Sequence, residues 1–333
     1  MKKLLAIYAL LIGAFLLYLF YYQMHDSKEN PWDNQGLRGE IGEKYVMVTF
    51  QAGIDYWKSC LKGFEDAAQA LNVSVEFRGS TQYDAHEEMT VLEQVIAKKP
   101  AGIALSAINP QMLNATIDKA VDAGIPVVLF DSGAPASKAY SFLGTDNFNA
   151  GATAARKMAE LLDNKGEVAV ITSVNQLNHQ ERTKGFQDTI VRSFPNMRVV
   201  AIKDGKGDRV ASREAAQEIM AKHPNLAGIF VTEANGGVGV GEAARYDGKD
   251  KKMKIISFDT DKGTLDMVRE GTISATLAQG TWNMGYWSLL FLFHLAHGMV
   301  QPTNKQTANP LPLYVDTGIT VVTEENVDYY YAR

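Results

Sequence analysis

Sulfur chemistry is almost absent from this chain: Cys60 is the single cysteine in 333 residues. That excludes an intramolecular disulfide and leaves no thiolate cluster for a metal. Histidine is scarce too, with 6 in all. His294 and His297 share one helical face, but no carboxylate or cysteine accompanies them, so structural roles suit them better than metal binding. An excess of positive charge is also missing. Lys and Arg number 33 against 38 acidic residues, a formal net charge of −5, which argues against a nucleic-acid or anionic-membrane surface. Ser132, Ser173 and Ser257 lack a Gly-x-Ser-x-Gly setting, and no nucleophile–base set is visible. The run Gly236-Gly237-Val238-Gly239-Val240-Gly241 lacks dinucleotide-binding spacing and comes late in the chain. With no nucleophile, metal cluster or phosphate loop, the sequence predicts neither an enzyme nor a cofactor.

What the chain does have, first, is a long apolar run from Leu4 to Tyr22. A helix over it rises about 28 Å, near the thickness of a bilayer's hydrocarbon core. Lys2 and Lys3 precede it and place the N-terminus in the cytoplasm. The run closes on Phe-Leu-Leu-Tyr-Leu-Phe-Tyr-Tyr, with no small-x-small cleavage site and no following cysteine for lipid attachment. Residues 1–23 are therefore expected to be an uncleaved membrane anchor, with a cleaved signal segment as the alternative. Residues 24–43, polar and holding Pro31, Gly36, Gly39 and Gly42, read as a tether. A repressor would need a helix-turn-helix head where this apolar segment stands.

From Tyr45 onward, short apolar β-type runs alternate with amphipathic helical stretches. That pattern predicts parallel sheets with helices on both faces. Two of the runs end alike: Val127-Val128-Leu129-Phe130-Asp131 and Ile255-Ile256-Ser257-Phe258-Asp259. A carboxylate at the end of a buried strand packs badly but suits a ligand, because open α/β sheets bind ligands outside their strand carboxyl ends. The duplication suggests two similar lobes, each giving one carboxylate to a shared cleft. Ionised carboxylates accept two hydrogen bonds each, which fits vicinal hydroxyls; helix capping is the competing role. Tyr56 and Trp57 open the first helix and offer aromatic faces for the C–H face of a sugar, with packing of the helix start claiming one of them. Arg182 carries a rigid fork of donors near a helix start. Gln279, at the end of a further strand, offers donor and acceptor together.

Together these residues resemble the type I periplasmic sugar-binding proteins, the ribose/galactose-binding family. The likeness spans about residues 44–330. It runs through the aromatic pair, Ile-Pro-Val-Val-Leu-Phe-Asp ending at Asp131, Gly144-Thr145-Asp146-Asn147, Arg182-x-x-Gly185-Phe186, Ser257-Phe258-Asp259 and Leu277-Ala278-Gln279. It closes on Thr317-Gly318-Ile319-Thr320-Val321-Val322. The resemblance implies sugar contacts at Tyr56, Trp57, Asp131, Arg182, Asp259 and Gln279. It further implies two Rossmann-like lobes joined by three crossing segments, near 146–147, 279–281 and 308–311. Lobe 1 is expected over 44–146 plus 281–308, lobe 2 over 147–279 plus 311–323, and a tail over 324–333. Two departures add candidates: Ser132 follows Asp131 where the family often has Arg, and Glu233 stands where an Asn is common. The more acidic cleft leaves an amino sugar or another cationic polyol open. The implied protein is an extracytoplasmic monosaccharide receptor that closes on its ligand. Its partner is expected to be an ABC permease or, alternatively, the outer domain of a sensor kinase or chemoreceptor.

Overall fold

A computed structural model describes residues 11–21, 37–249, 252–300 and 311–331. Residues 11–21 form helix α1, with nearly every side chain exposed. The rest of the expected anchor, residues 1–10 and 22–23, lies outside the described residues, as does the tether up to residue 36. Among the described residues no helix is long and apolar enough to cross a membrane.

The body is built from βα units in two series. The first holds β1 (Lys44–Thr49), α2 (Trp57–Leu71), β2 (Ser74–Gly79), α3 (Ala85–Ala97), β3 (Gly102–Leu105), α4 (Pro110–Asp122), β4 (Val127–Phe130) and β5 (Phe142–Gly144). The second holds α5 (Asn147–Leu161), β6 (Gly166–Thr172), α6 (Leu177–Ser193), β7 (Met197–Asp204), α7 (Arg209–Lys222), β8 (Leu226–Val231), α8 (Gly236–Tyr246), β9 (Lys254–Phe258), α9 (Lys262–Arg269) and β10 (Ala275–Gln279). Helix α10 (Thr281–Ala296), strands β11 (Tyr314–Asp316) and β12 (Ile319–Val322) and a 3-10 turn at Val327–Tyr330 complete the chain. The helices start where the sequence supplies caps. Asp84, Asn109, Asp146, Asp208 and Asp261 each accept a backbone N–H of the first turn, and Pro110 follows Asn109.

The strands form two six-stranded sheets, ordered β11-β5-β4-β3-β1-β2 and β12-β10-β9-β8-β6-β7. Every pairing is parallel except β10 with β12. Central strands such as β3 and β4 are buried on both faces, as parallel strands covered by helices must be. Lobe 1 carries one apolar core, to which α10 contributes Met284, Leu289, Leu292 and Phe293. Lobe 2 carries two, one on each face of its sheet.

The chain passes between the sheets after Gly144, after Gln279 and after Asp316. The third passage therefore lies later than the 308–311 expected. Residues 314–316 belong with lobe 1, because they pair in parallel with Phe142–Gly144 and cover that sheet edge. The Phe142 and Tyr314 rings stack there, with centroids 5.6 Å apart. The two helical histidines are structural. His297 Nε2 meets Glu43 Oε2 at 2.8 Å and its ring stacks on Phe293.

Candidate ligand-binding cleft

The carboxyl ends of both sheets face one another across the cleft, and Asp131 and Asp259 stand there as the first residues past β4 and β9. Both have left-handed backbones, with φ of 58° and 66°. Asp tolerates that region better than most side chains, so the strand ends can bend back and aim each carboxylate inward. Both are buried.

A continuous hydrogen-bonded network joins them. Tyr56 Oη donates to Asp131 Oδ1 at 2.5 Å, and Ser106 Oγ donates to Asp131 Oδ2 at 3.0 Å. Gln279 Nε2 donates to Tyr56 Oη at 3.1 Å and to Asp259 Oδ1 at 2.7 Å. Gln279 Oε1 accepts from Arg182 Nη2 at 3.0 Å and from Thr145 Oγ1 at 2.7 Å. The amide is thus held on both sides, at the chain's second passage between lobes.

Arg182 is 2% exposed and lies with its guanidinium carbon 3.7 Å from the centre of the Phe258 ring. Its Nε donates to Asn147 Oδ1 at 2.9 Å and its Nη1 to the Thr232 carbonyl at 2.8 Å. Close packing of α5 on α6 sets this position: a Cβ added at Gly151 would meet the Arg182 carbonyl oxygen at 1.9 Å. His179 beside it is held neutral. Burial, and then the Arg182 charge, drive it down to about 3.

Burial also sets the state of the acids. It raises Asp259 to about 7 against the lowering pull of Arg182 and of the Gln279 hydrogen bond, with Asp131 and Asp261 adding to the rise. Asp131 is raised as well, again by burial, but Tyr56, Arg182 and Ser106 all pull it down. Glu233 is raised to about 7 by burial, opposed by backbone N–H groups of Asn235 and Gly236. Its Oε2 accepts from Asn235 N–H at 2.7 Å, so it is folded against the start of α8 as well as lining the cleft.

An inner cavity of about 200 Å³ is lined by Tyr56, Asp131, Arg182, Glu233, Asp259 and Gln279, among others. Seven of the eight sequence candidates thus converge, Trp57 among them. Trp57 offers little open face there: it is 2% exposed, its Nε1 donates to the Phe50 carbonyl, and its ring meets Phe50, Tyr56 and Phe130 edge-on against the lobe 1 core. Ser132 is turned away, its Oγ donating to the Ala107 carbonyl at 2.7 Å, where it ties two strand-end loops together. Further lining residues escaped the sequence reading. Phe50 and Tyr83 form an edge-on aromatic pair at the rim, and Gln176 and Asn178 come from the loop and first turn of α6. Ser106 was legible by the strand-end rule that found Asp131, since it directly follows β3. Tyr83 carried no such signal. Among the described residues no group of three His, Cys, Asp or Glu is placed to hold a metal.

Residues 45–299 match the periplasmic binding protein domain family. The fold is similar to the sugar-binding protein of a sugar ABC transporter from Bacillus halodurans, at 68% identity and a TM-score of 0.84, covering 87% of this chain and 100% of that one. It is similar also to AraP, an arabinose binding protein from Geobacillus stearothermophilus, at 66% identity and a TM-score of 0.81, covering 87% and 99%. The XylFII–LytSN complex matches at 25% identity and a TM-score of 0.75, covering 85% and 98%.

Proposed function

The chain belongs to the periplasmic binding protein domain family, and from that premise we propose that it is an extracytoplasmic receptor that closes on a monosaccharide, a pentose such as arabinose, and delivers it to an ABC importer. Proteins of this family are binding receptors, so the chain is not an enzyme. One observation carries the reading: the unbroken network from Asp131 through Tyr56 and Gln279 to Asp259 and Arg182. It sets carboxylate acceptors of both lobes and an amide between them around a cavity the size of one sugar ring. A polyol that bonds to both lobes at once favours the closed state by its contacts to each. Tyr56, Asp131, Glu233, Asp259 and Gln279 are the proposed ligand-facing groups, with Arg182 holding Gln279 in place. Similarity to AraP supports a pentose, and Glu233 leaves room for an amino sugar.

The test is titration calorimetry of the full chain against a panel of pentoses, hexoses and amino sugars. Submillimolar binding of at least one pentose is expected. No heat and no thermal shift with any member would overturn the reading.

A second reading of the output rests on the apolar N-terminus. If residues 1–23 stay on the mature protein, the receptor is tethered beside a membrane partner, and a sensor kinase or chemoreceptor suits that arrangement as well as a permease. Similarity to a chain of the XylFII–LytSN complex supports a protein partner. Mass spectrometry of the native N-terminus decides the anchor, and a mature start between about residues 20 and 40 would remove it.

A further inference from the structure

We propose that the cleft holds a second sugar subsite, so that the protein takes a pentose disaccharide with one ring in the inner cavity and the other beyond Gln279. The proposal rests on the sugar-receptor reading above. A larger chamber, about 770 Å³, abuts the inner cavity and shares Tyr56, Asp259 and Gln279 with it. These three side chains form a partition, joined by the Gln279–Tyr56 and Gln279–Asp259 hydrogen bonds. A pentose fills the inner side alone and leaves the outer one empty.

The outer chamber has fixed aromatic walls. Trp282, on the first turn of α10, is 38% exposed. Its Nε1 donates to Asp66 Oδ2 at 2.9 Å, and its ring stacks on Tyr286 at 4.6 Å. Tyr331, just past the final 3-10 turn, donates to Asp266 Oδ1 at 2.9 Å and lies under the Arg269 guanidinium, 4.0 Å from the ring centre. Each ring is thus locked before any ligand arrives, which removes the ordering cost of binding, and aromatic faces suit the C–H faces of a sugar. Asp261, which caps α9 by accepting from Thr264 N–H at 3.0 Å, lines the chamber too.

Calorimetry on the full chain in detergent, with arabinose and 1,5-linked arabinobiose as probes, tests this. Wild-type protein should bind both. Trp282→Ala and Tyr331→Ala should each weaken arabinobiose at least tenfold while leaving arabinose within twofold, and Trp282→Phe should recover most of the loss. An unchanged arabinose affinity shows that a variant is folded. Arabinose binding without arabinobiose binding overturns the subsite, as does an equal loss of both sugars in both alanine variants. If neither sugar binds wild-type protein, the receptor reading itself fails and takes the subsite with it.

Discussion

Asp131 and Asp259 leave their strands in the same way: each follows a phenylalanine, each has a left-handed backbone, and each is buried at the cleft. Their surroundings differ. Asp131 in lobe 1 accepts two hydroxyl donors, Tyr56 and Ser106, one on each oxygen. Asp259 in lobe 2 accepts the Gln279 amide and relies chiefly on the Arg182 charge to offset its burial. A carboxylate satisfied by short-range hydrogen bonds tolerates burial better than one balanced at a distance, because hydrogen bonds replace the lost water directly. The lobes are therefore duplicated in backbone and divided in electrostatics. In lobe 2 burial carries the acid to about 7; in lobe 1 Tyr56, Arg182 and Ser106 oppose the rise that burial imposes.

Removing the shared cation should separate the lobes most. Arg182→Met leaves both acids without their buried counter-charge, so stability should drop by about 3–5 kcal/mol at pH 8. The drop should shrink at pH 5, where Asp259 is protonated in the fold. Denaturant unfolding at the two pH values measures this, and equal losses would mean that Arg182 acts by packing alone. Next in size are Asp131→Asn and Asp259→Asn, which keep the left-handed backbone. Each should cost about 2–4 kcal/mol of pentose affinity at pH 8, through unpaired ligand hydroxyls. Between pH 6 and 8 the Asp259→Asn loss should grow as pH passes about 7, and a level calorimetric profile would show that Asp259 does not titrate there.

The same asymmetry predicts a pH-dependent fold. The Asp259 carboxyl is raised from 3.8 to about 7 in the folded chain, so between those values the folded state binds more protons than the unfolded one. Stability must then fall as pH rises through this window, and the penalty is complete above about 7. Glu233 adds to the fall with the same sign. Glu88, buried on α3 and raised to about 8, extends it upward. The melting temperature of ligand-free protein should decline from pH 5 to 8. Asp259→Asn should restore on the order of 1–2 kcal/mol at pH 8. The smallest effect is expected from Tyr56→Phe. Loss of its donor should weaken sugar binding by about 1 kcal/mol and let Asp131 drift up toward Asp259's behaviour. A pH-independent affinity in that variant would show that Ser106 alone suffices.

Much of this was legible in the chain itself, for a local reason. Alternating apolar runs and capped helices fix parallel α/β lobes, and an aspartate ending a buried strand needs no tertiary knowledge to be suspect. The β11 placement was not legible, because three residues after a polar stretch carry no sign of which sheet edge they cover. Nor was the fate of neighbours such as Asp131 and Ser132. Adjacent residues point apart, and only the packed core decides which one meets the cleft.

The sequence by itself determined the fold class, the two strand-end acids and the residue types available to a polyol, since these follow from periodicity and side-chain chemistry. Only the tertiary structure decided that Gln279 ties the two acids together, that Arg182 is spent on holding it, and that different donors oppose the burial of each acid. Those properties depend on distances between residues far apart in the chain and on how much water packing leaves around each group.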